Sequence, residues 1–259
     1  MGSVEFGVYI PSASTAKGTV ERAVLAEELG FAAVWSPDLI DPGLMECMTL
    51  SAAIAGATDR TRVGLGVVNF MYRSPQLLLR TLATLDQLSD GRLNIGIGVG
   101  VDFSDQEYGL TAPPYAERVR QLDETLQVMR LHFNEPTVNF DGDTLKFHEL
   151  DPRPFPVQRP SPPILIGGAS SRMLKLAAKY ADLWEIGGWR SYRIDESETK
   201  LSVLIRKRRE LDTICEQMGR DPTSIKTVSD FWFTMAETPE AAKQAAERAL
   251  PWSSHYELH

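Results

Sequence analysis

An acidic residue, Asp38, directly follows an apolar, strand-like run. The run Val34-Trp35 breaks at Pro37 within "VWSPDLID", and Leu39 comes after the carboxylate. A carboxylate at the end of a strand can exchange a proton with a substrate or accept a hydrogen bond from one. Since nothing near it in the sequence identifies a charged partner, we expect Asp38 to act in catalysis as a hydrogen-bond acceptor for a cofactor or substrate.

A second chemically specific segment is "ILIGGASS" (164–171), which joins a strand to a helix. Backbone N–H groups at a helix N-terminus bind anions, glycine permits close approach, and serine adds a donor. We therefore predict a phosphate site made of Gly167, Gly168, Ala169, Ser170 and Ser171. The same residues also fit a glycine turn with a serine N-cap and no ligand.

Short apolar, β-rich segments must position these residues, and they alternate with amphipathic helical stretches. The segments are 4–10, 31–35, 62–70, 92–100, 164–168, 182–188 and 226–236. Strands that are apolar on both faces and separated by helices predict a parallel sheet covered by helices. We expect an α/β fold, a (β/α)8-type TIM barrel in which seven strand units are visible, with residues 1–259 as a single domain.

One segment interrupts the alternation of strands and helices. Residues 137–150 form two β-like arms around Asp141-Gly142, a dipeptide typical of hairpin turns. We therefore expect a small β-hairpin insertion there.

The strand ends of such a barrel are where functional residues lie. Here they are poor in ionisable groups and rich in glycine, which suits a flat aromatic cofactor lying on backbone. The chief rival is a doubly wound sheet that binds a dinucleotide. However, "GIGVG" (96–100) has Val101 where GxGxxG needs its third glycine, and Asp123 lies inside an amphipathic helical pattern instead of at a strand end.

Composition limits the partners. The 259 residues are 43% hydrophobic and carry a net charge of −8, which disfavours nucleic acid. The two cysteines lack metal-site spacing, so we expect no metal. The N-terminus lacks a signal pattern, and no apolar run approaches ~18 residues. We therefore expect a cytoplasmic protein with a small-molecule substrate and no membrane or nucleic-acid partner.

Several passages together resemble the luciferase-like monooxygenase family, the flavin barrels of the bacterial-luciferase type. They are "AEELGFAAVWSPD", "LATLDQLSDGRLNIGIGVG", "RQLDETLQVMR", "FDGDTLKFHELDPRPFPVQRPSPPILIGG" and "AAKYADLWEIGG". The resemblance is greatest to the branch that uses the deazaflavin coenzyme F420, with FMN as the alternative cofactor. It implies an oxidoreductase that pairs as a homodimer.

The resemblance also implies roles for individual residues. A nonproline cis peptide would join Val68 and Asn69 against the cofactor ring. Gly98, Gly100 and Val101 would pass beside the ring, with Asp38 and Leu39 nearby. The cofactor phosphate would lie on the predicted phosphate site, with Gly187 at the neighbouring strand end.

Two features depart from the family pattern. Many deazaflavin members have histidine where this chain has Leu39, and none of the four histidines falls at a predicted strand end. His132 and His148 are expected to be surface or packing residues. The family's eighth strand is also missing, so we expect a partner or tail to close the gap, or a shortened chain.

Three interpretations follow from these patterns. The first is hydride transfer between reduced F420 and an unidentified small organic substrate. The second is an FMN-dependent monooxygenase, and the third is a non-catalytic flavin- or deazaflavin-binding relative.

Overall fold

The computed structural model describes residues 4–10, 15–40, 44–100, 109, 111–186, 199–230 and 235–249. The strands are β1 (Gly7–Tyr9), β2 (Ala33–Ser36), β3 (Arg62–Asn69), β4 (Leu93–Gly98), β5 (Val138–Asp141), β6 (Lys146–Leu150), β7 (Ile164–Gly167), β8 (Leu183–Glu185) and β9 (Lys226–Val228). The helices are α1 (Ala16–Glu28), α2 (Cys47–Ala57), α3 (Pro75–Leu88), α4 (Tyr115–Asn134), α5 (Ser171–Tyr180), α6 (Lys200–Gln217) and α7 (Pro239–Ala249).

Seven of these strands form one sheet, in the order β1-β2-β3-β4-β7-β8-β9. The pairs from β1 through β8 with a described register are all parallel. The predicted α/β fold, with seven strand units of a TIM-barrel type, is confirmed. Because the strands are parallel, their carboxyl ends meet at one edge of the sheet, and functional side chains can converge there.

The predicted hairpin is confirmed as well. β5 and β6 pair antiparallel in a separate two-stranded sheet. Glu124 of α4 fixes its turn, since its carboxylate accepts hydrogen bonds from the backbone N–H groups of Asp143, Thr144 and Leu145 at 2.9 Å each. The hairpin is therefore held against α4 by a buried acidic side chain.

One face of the sheet packs against the helices. Leu93, Ile95 and Ile97 of β4 alternate along the strand and are fully buried there. The facing helices begin at identifiable caps: Pro75 opens α3, the Ser170 side chain caps α5, and Glu46 caps α2 by accepting from the N–H groups of Met48 and Thr49.

The chain divides into two compact units, residues 1–227 and residues 228–259, and α7 lies in the second. The sheet residues up to Thr227 and helices α1 to α6 lie in the first. Within the part of the chain that the structure describes, every helix is too short or too polar to cross a membrane.

Candidate active site

Opposite the helix-packed face, the sheet carries glycine on three strands. We call this surface the glycine face; it consists of Gly64 and Gly66 of β3, Gly96 and Gly98 of β4, and Gly167 of β7. These residues repeat at every second position, so their absent side chains would all point to one side. The room above the glycine face is taken up largely by other atoms of the protein.

Trp35 of β2 fills one part of that room. A Cβ atom on Gly64 would overlap the indole ring, and one on Gly66 would lie 2.9 Å from the Tyr9 hydroxyl. The β3 glycines therefore accommodate the protein's own aromatic side chains, a use that the sequence interpretation did not assign to them.

Val67 lies over the other part. A Cβ on Gly98 would be 3.0 Å from one Val67 methyl, and a Cβ on Gly167 would be 3.5 Å from the other. The nonproline cis peptide joins Gly66 and Val67, so its expected position between Val68 and Asn69 is wrong. The cis peptide lies two residues nearer the start of β3 than expected. It falls where the pairing of β3 with β4 shifts register, between Leu65 and Val68.

The same shift decides the position of Val68. Its side chain is fully buried in the apolar core, so Val67, its neighbour, is the residue that faces the glycine face. The contact of Val68 with a cofactor stays a prediction. Because the side chain is buried in the core, the backbone of Val68 would have to make that contact.

Asn69, at the end of β3, carries an unsatisfied donor. Its side chain is buried, and its Oδ1 accepts from the N–H of Met71 at 3.2 Å. Its Nδ2 has no hydrogen-bond partner among the described residues. The amide packs on Gly100, whose φ of +75° and close approach to Asn69 both require glycine. A buried amide donor without a partner costs about 1–3 kcal/mol, which a ligand acceptor would recover.

Asp38 has a partner that the sequence did not reveal. Arg73 donates to both carboxylate oxygens, at 2.6 Å and 2.9 Å, and the Asn69 backbone N–H donates at 3.0 Å. Asp38 is only 5% exposed, and Arg73 also donates to Glu46. The protein thus occupies three of the roughly four acceptor positions of the Asp38 carboxylate.

The ionisation of this cluster follows from its contacts. Burial opposes the charge on Arg73, but hydrogen bonds to Asp38 and Glu46 prevail and raise the guanidinium pKa. Burial likewise raises the pKa of Glu46, yet hydrogen bonds from Thr49, Arg73 and Met48 outweigh it and bring the pKa to about 2. Burial, reinforced by the charge of Asp38, raises the pKa of the Cys47 thiol. Glu46 and Arg73 are therefore both charged at neutral pH, and Cys47 is a protonated packing residue.

Leu39 lies at the surface beside this cluster. It is 37% exposed and lines a cavity of about 530 Å³ with Asp38, Ile40, Leu44, Glu46, Tyr72 and Arg73. The apolar side chain at this position thus borders the ion pair.

The predicted phosphate site lies at the N-terminus of α5. Gly168 has a φ of +112°, which favours glycine, and Ser170 caps the helix by accepting from the N–H of Met173 at 3.3 Å. Tyr115 of α4 reaches the Ser170 hydroxyl at 2.8 Å. Ala169 is buried and Ser171 is exposed.

A buried cation lies close to this corner. Arg118 is 3% exposed, donates to the carbonyl of Val99 at 3.1 Å, and lies over the Tyr115 ring at 5.7 Å. Tyr115 therefore contacts both the α5 N-terminus and this guanidinium. The sequence interpretation missed both residues, because they are far from the serines in the chain and belong to an ordinary amphipathic helix.

The predicted site residues thus form two groups. The backbone of Asn69 binds Asp38, its side chain packs on Gly100, and Gly98 and Gly167 both face Val67. Ser170 and its neighbours form the second group, at the start of α5. Val101 and Gly187 lie outside the described residues.

Comparison with known proteins gives a family match over nearly the whole chain. The model described as "Luciferase-like monooxygenase" matches residues 3–258. An F420-dependent hydroxymycolic acid dehydrogenase from Mycobacterium tuberculosis is 26% identical over 87% of this chain and 61% of its own length. An FMNH(2)-dependent dimethylsulfone monooxygenase from Pseudomonas putida is 28% identical over 55% of this chain and 39% of its own length.

Solved structures agree on the fold. The coenzyme F420-dependent tetrahydromethanopterin reductase from Methanopyrus kandleri superposes with a TM-score of 0.81 at 21% identity, covering 97% of this chain and 72% of that chain. Monooxygenase RslO1 from Streptomyces bottropensis gives 0.79 at 22% identity, covering 97% and 78%. The chain spans less than two thirds of the length of the two curated relatives described above.

Proposed function

Because the chain belongs to the luciferase-like monooxygenase family, we propose that it is an oxidoreductase that transfers a hydride between reduced coenzyme F420 and a small organic substrate. The observation that carries this proposal is the carboxyl end of the glycine face, where Val67 packs over Gly98 and Gly167 and the buried Nδ2 of Asn69 has no partner among the described residues. A flat ring system can lie on such a surface, and a catalytic side chain for hydrolysis cannot be built from glycine.

The residues present fit a deazaflavin or a flavin. Gly98, Gly167 and Val67 would hold the ring, and the unsatisfied Nδ2 of Asn69 would donate to a ring oxygen or nitrogen. When bound, the cofactor supplies or accepts the two electrons and the hydrogen that leave or enter the substrate carbon. The protein orients the reactants and keeps water away from them.

The phosphate of the cofactor would lie at the N-terminus of α5. Gly167, Gly168, Ala169, Ser170 and Ser171 offer backbone and hydroxyl donors there, and the helix dipole favours an anion. Tyr115 supports this assignment, since its hydroxyl lies 2.8 Å from that of Ser170, and the buried guanidinium of Arg118 lies over the Tyr115 ring. Val101 and Gly187 complete the proposed cofactor contacts.

The role of Asp38 follows from its hydrogen bonds. With Arg73 on both oxygens and the Asn69 N–H on one, it ties the end of β2 to the end of β3. We assign it to positioning Asn69 at the ring.

An FMN-dependent monooxygenase is the second candidate. The similarity to the dimethylsulfone monooxygenase favours it, and the glycine face would accept either ring. A homodimer in the cytoplasm that acts on a small molecule belongs to both candidates and remains a prediction.

A fluorescence titration of the full chain with F420 and with FMN tests the proposal. We expect F420 to bind more tightly than FMN. Gly98→Val should weaken both by at least ten-fold, because a Cβ there would lie only 3.0 Å from Val67 and the larger side chain would displace the residue proposed to hold the ring. Gly56→Ala is the matched control, since a Cβ at this helical position meets no atom within 4 Å. Failure of the wild-type chain to bind either cofactor would overturn the proposal, and oxygen consumption with reduced FMN would favour the second candidate.

A further inference from the structure

A groove separate from the proposed cofactor contacts begins at the end of β3. It has a volume of about 340 Å³ and starts at Phe70, the residue directly after Asn69. Its apolar walls are Phe70, Met71, Tyr72, Pro75, Pro113 and Leu145. The volume is at the low end of ~300–1,000 Å³, the usual range for small-molecule sites.

We infer that this groove binds the uncharged, largely apolar part of the substrate, so that the substrate is a neutral molecule with a hydrocarbon body instead of a carboxylate or phosphate ester. The inference rests on the proposed function for the reaction, and it adds the substrate class.

The charges that line the groove carry the argument. Among its described lining residues, Arg73 is the one with a charged side chain. Its guanidinium is already bound by Asp38 on both oxygens and by Glu46. An anionic substrate would meet a cation that two carboxylates have neutralised, and burying an unpaired anion is costly.

The net charge of the chain points the same way. It is −8, which disfavours a phosphorylated or carboxylated ligand.

The hydroxyl groups of the groove favour an alcohol. Thr125 donates its hydroxyl hydrogen to the carbonyl of Gln121 at 2.8 Å, and Thr144 donates to Glu124 at 2.6 Å. Since both hydrogens are used, the oxygens are left as acceptors. A neutral substrate that carries a hydroxyl donor therefore matches the two threonine oxygens.

The wall of the groove is preformed. Thr144 and Leu145 lie in the hairpin turn, and their N–H groups donate hydrogen bonds to Glu124. Ligand binding would not have to order this turn, so little conformational entropy would oppose binding.

Ligand-observed NMR on the full chain without cofactor tests the inference with three probes: 1-octanol, octanoate and glucose 6-phosphate. We expect 1-octanol to bind at least ten-fold more tightly than octanoate, and glucose 6-phosphate not to bind. The alcohol and the carboxylate share one hydrocarbon body, so their difference reports the charge.

Two variants place the binding in the groove. Ala112→Trp and Thr111→Trp each add an indole from a loop position in the lining, and each should weaken 1-octanol binding at least ten-fold. Ala53→Trp, at an exposed position of α2 outside that lining, should leave it unchanged. Folding of each variant is checked by circular dichroism.

The inference is overturned if 1-octanol does not bind, if octanoate or glucose 6-phosphate binds as tightly as 1-octanol, or if 1-octanol binding is unaffected in a folded groove variant. The head-group comparison uses the wild-type chain and so does not depend on the variants. The cofactor titration is separate. Cofactor binding without 1-octanol binding would defeat the groove alone, whereas 1-octanol binding without cofactor binding would defeat the proposed reaction.

Discussion

Asp38 shows how a residue chosen for its chemistry can serve structure. Its carboxylate follows a strand, as a catalytic acid or base in a barrel would. In the folded protein it accepts three hydrogen bonds, two of them from Arg73, and is nearly inaccessible to solvent. Asp38 holds the backbone N–H of Asn69, whose side-chain Nδ2 has no partner among the described residues and is the better candidate for contact with a ligand.

Replacing the carboxylate of Asp38 should destabilise the protein. Asp38→Asn removes one partner of a buried pair and leaves Arg73 with Glu46 alone, so we expect the free energy of unfolding to fall by about 3 kcal/mol. Urea denaturation measures it.

The matched control for this change is Asp141→Asn. The Asp141–Lys146 pair is exposed, with 70% of the Asp141 side chain and 63% of the Lys146 side chain accessible, and its loss should be undetectable. Unchanged stability in Asp38→Asn, combined with lost turnover, would contradict a positioning role and support a catalytic one.

At the level of elements, buried carboxylates fasten loops to helices. Glu27 of α1 accepts from the N–H groups of Asp59, Arg60 and Thr61, and Asp86 of α3 accepts from those of Val157 and Gln158. Glu124 holds the hairpin turn in the same way. Each satisfies several backbone donors at once, which explains how irregular segments keep fixed positions.

Removing the Glu124 carboxylate should loosen the hairpin locally. Burial raises its pKa, but the hydrogen bonds from Thr144, Leu145 and Asp143 lower it overall, so the ionised form holds the turn. In Glu124→Ala we expect at least ten-fold faster amide hydrogen exchange at residues 143–145, because their N–H groups lose their acceptor.

Glu117→Ala is the control for the hairpin, since this side chain of the same helix bonds Gln121 instead of the turn. It should leave exchange at residues 143–145 unchanged. Equal protection in both variants would mean that the β5–β6 pairing alone holds the turn.

The elements themselves were largely predictable. Apolar runs and helix starts identified all seven strands of the sheet, and Asp141-Gly142 identified the hairpin. The side-chain pairs that define the site could not be predicted from the sequence. Asp38 and Arg73, for example, are 35 positions apart, and no local pattern links them. Val67, and not Val68, faces the glycine face. This position depends on a register shift within β3, which the alternation of residue types does not reveal.

For the whole molecule, buried ionisable groups determine how stability depends on pH. His132 is 1% exposed, and neither ring nitrogen has a partner among the described residues. Burial, with a smaller effect of Arg80, lowers its pKa from 6.5 to about 4. This confirms that His132 is a packing residue, whereas His148 is exposed.

The direction of the effect follows from proton binding. Between pH 6.5 and about 4 the unfolded chain binds a proton at His132 that the folded chain refuses, so the free energy of unfolding decreases as the pH falls through this window. From pH 7 to 5 we expect a loss of about 2 kcal/mol from this group. Glu46, Glu27 and Glu124 have lowered pKa values, and their contribution is present above pH 4.5 and is lost only below it.

Urea denaturation of His132→Leu at pH 7 and pH 5 isolates this contribution. An apolar side chain cannot be protonated, so the variant should lose markedly less stability than wild type between the two pH values, even if a changed fit alters its stability at both. His148→Leu should retain the wild-type loss, because that side chain is exposed in the folded chain. If His132→Leu shows the same pH dependence as wild type, the imidazole must be able to take up a proton in the folded protein, and the sensitivity to acid must come from another group.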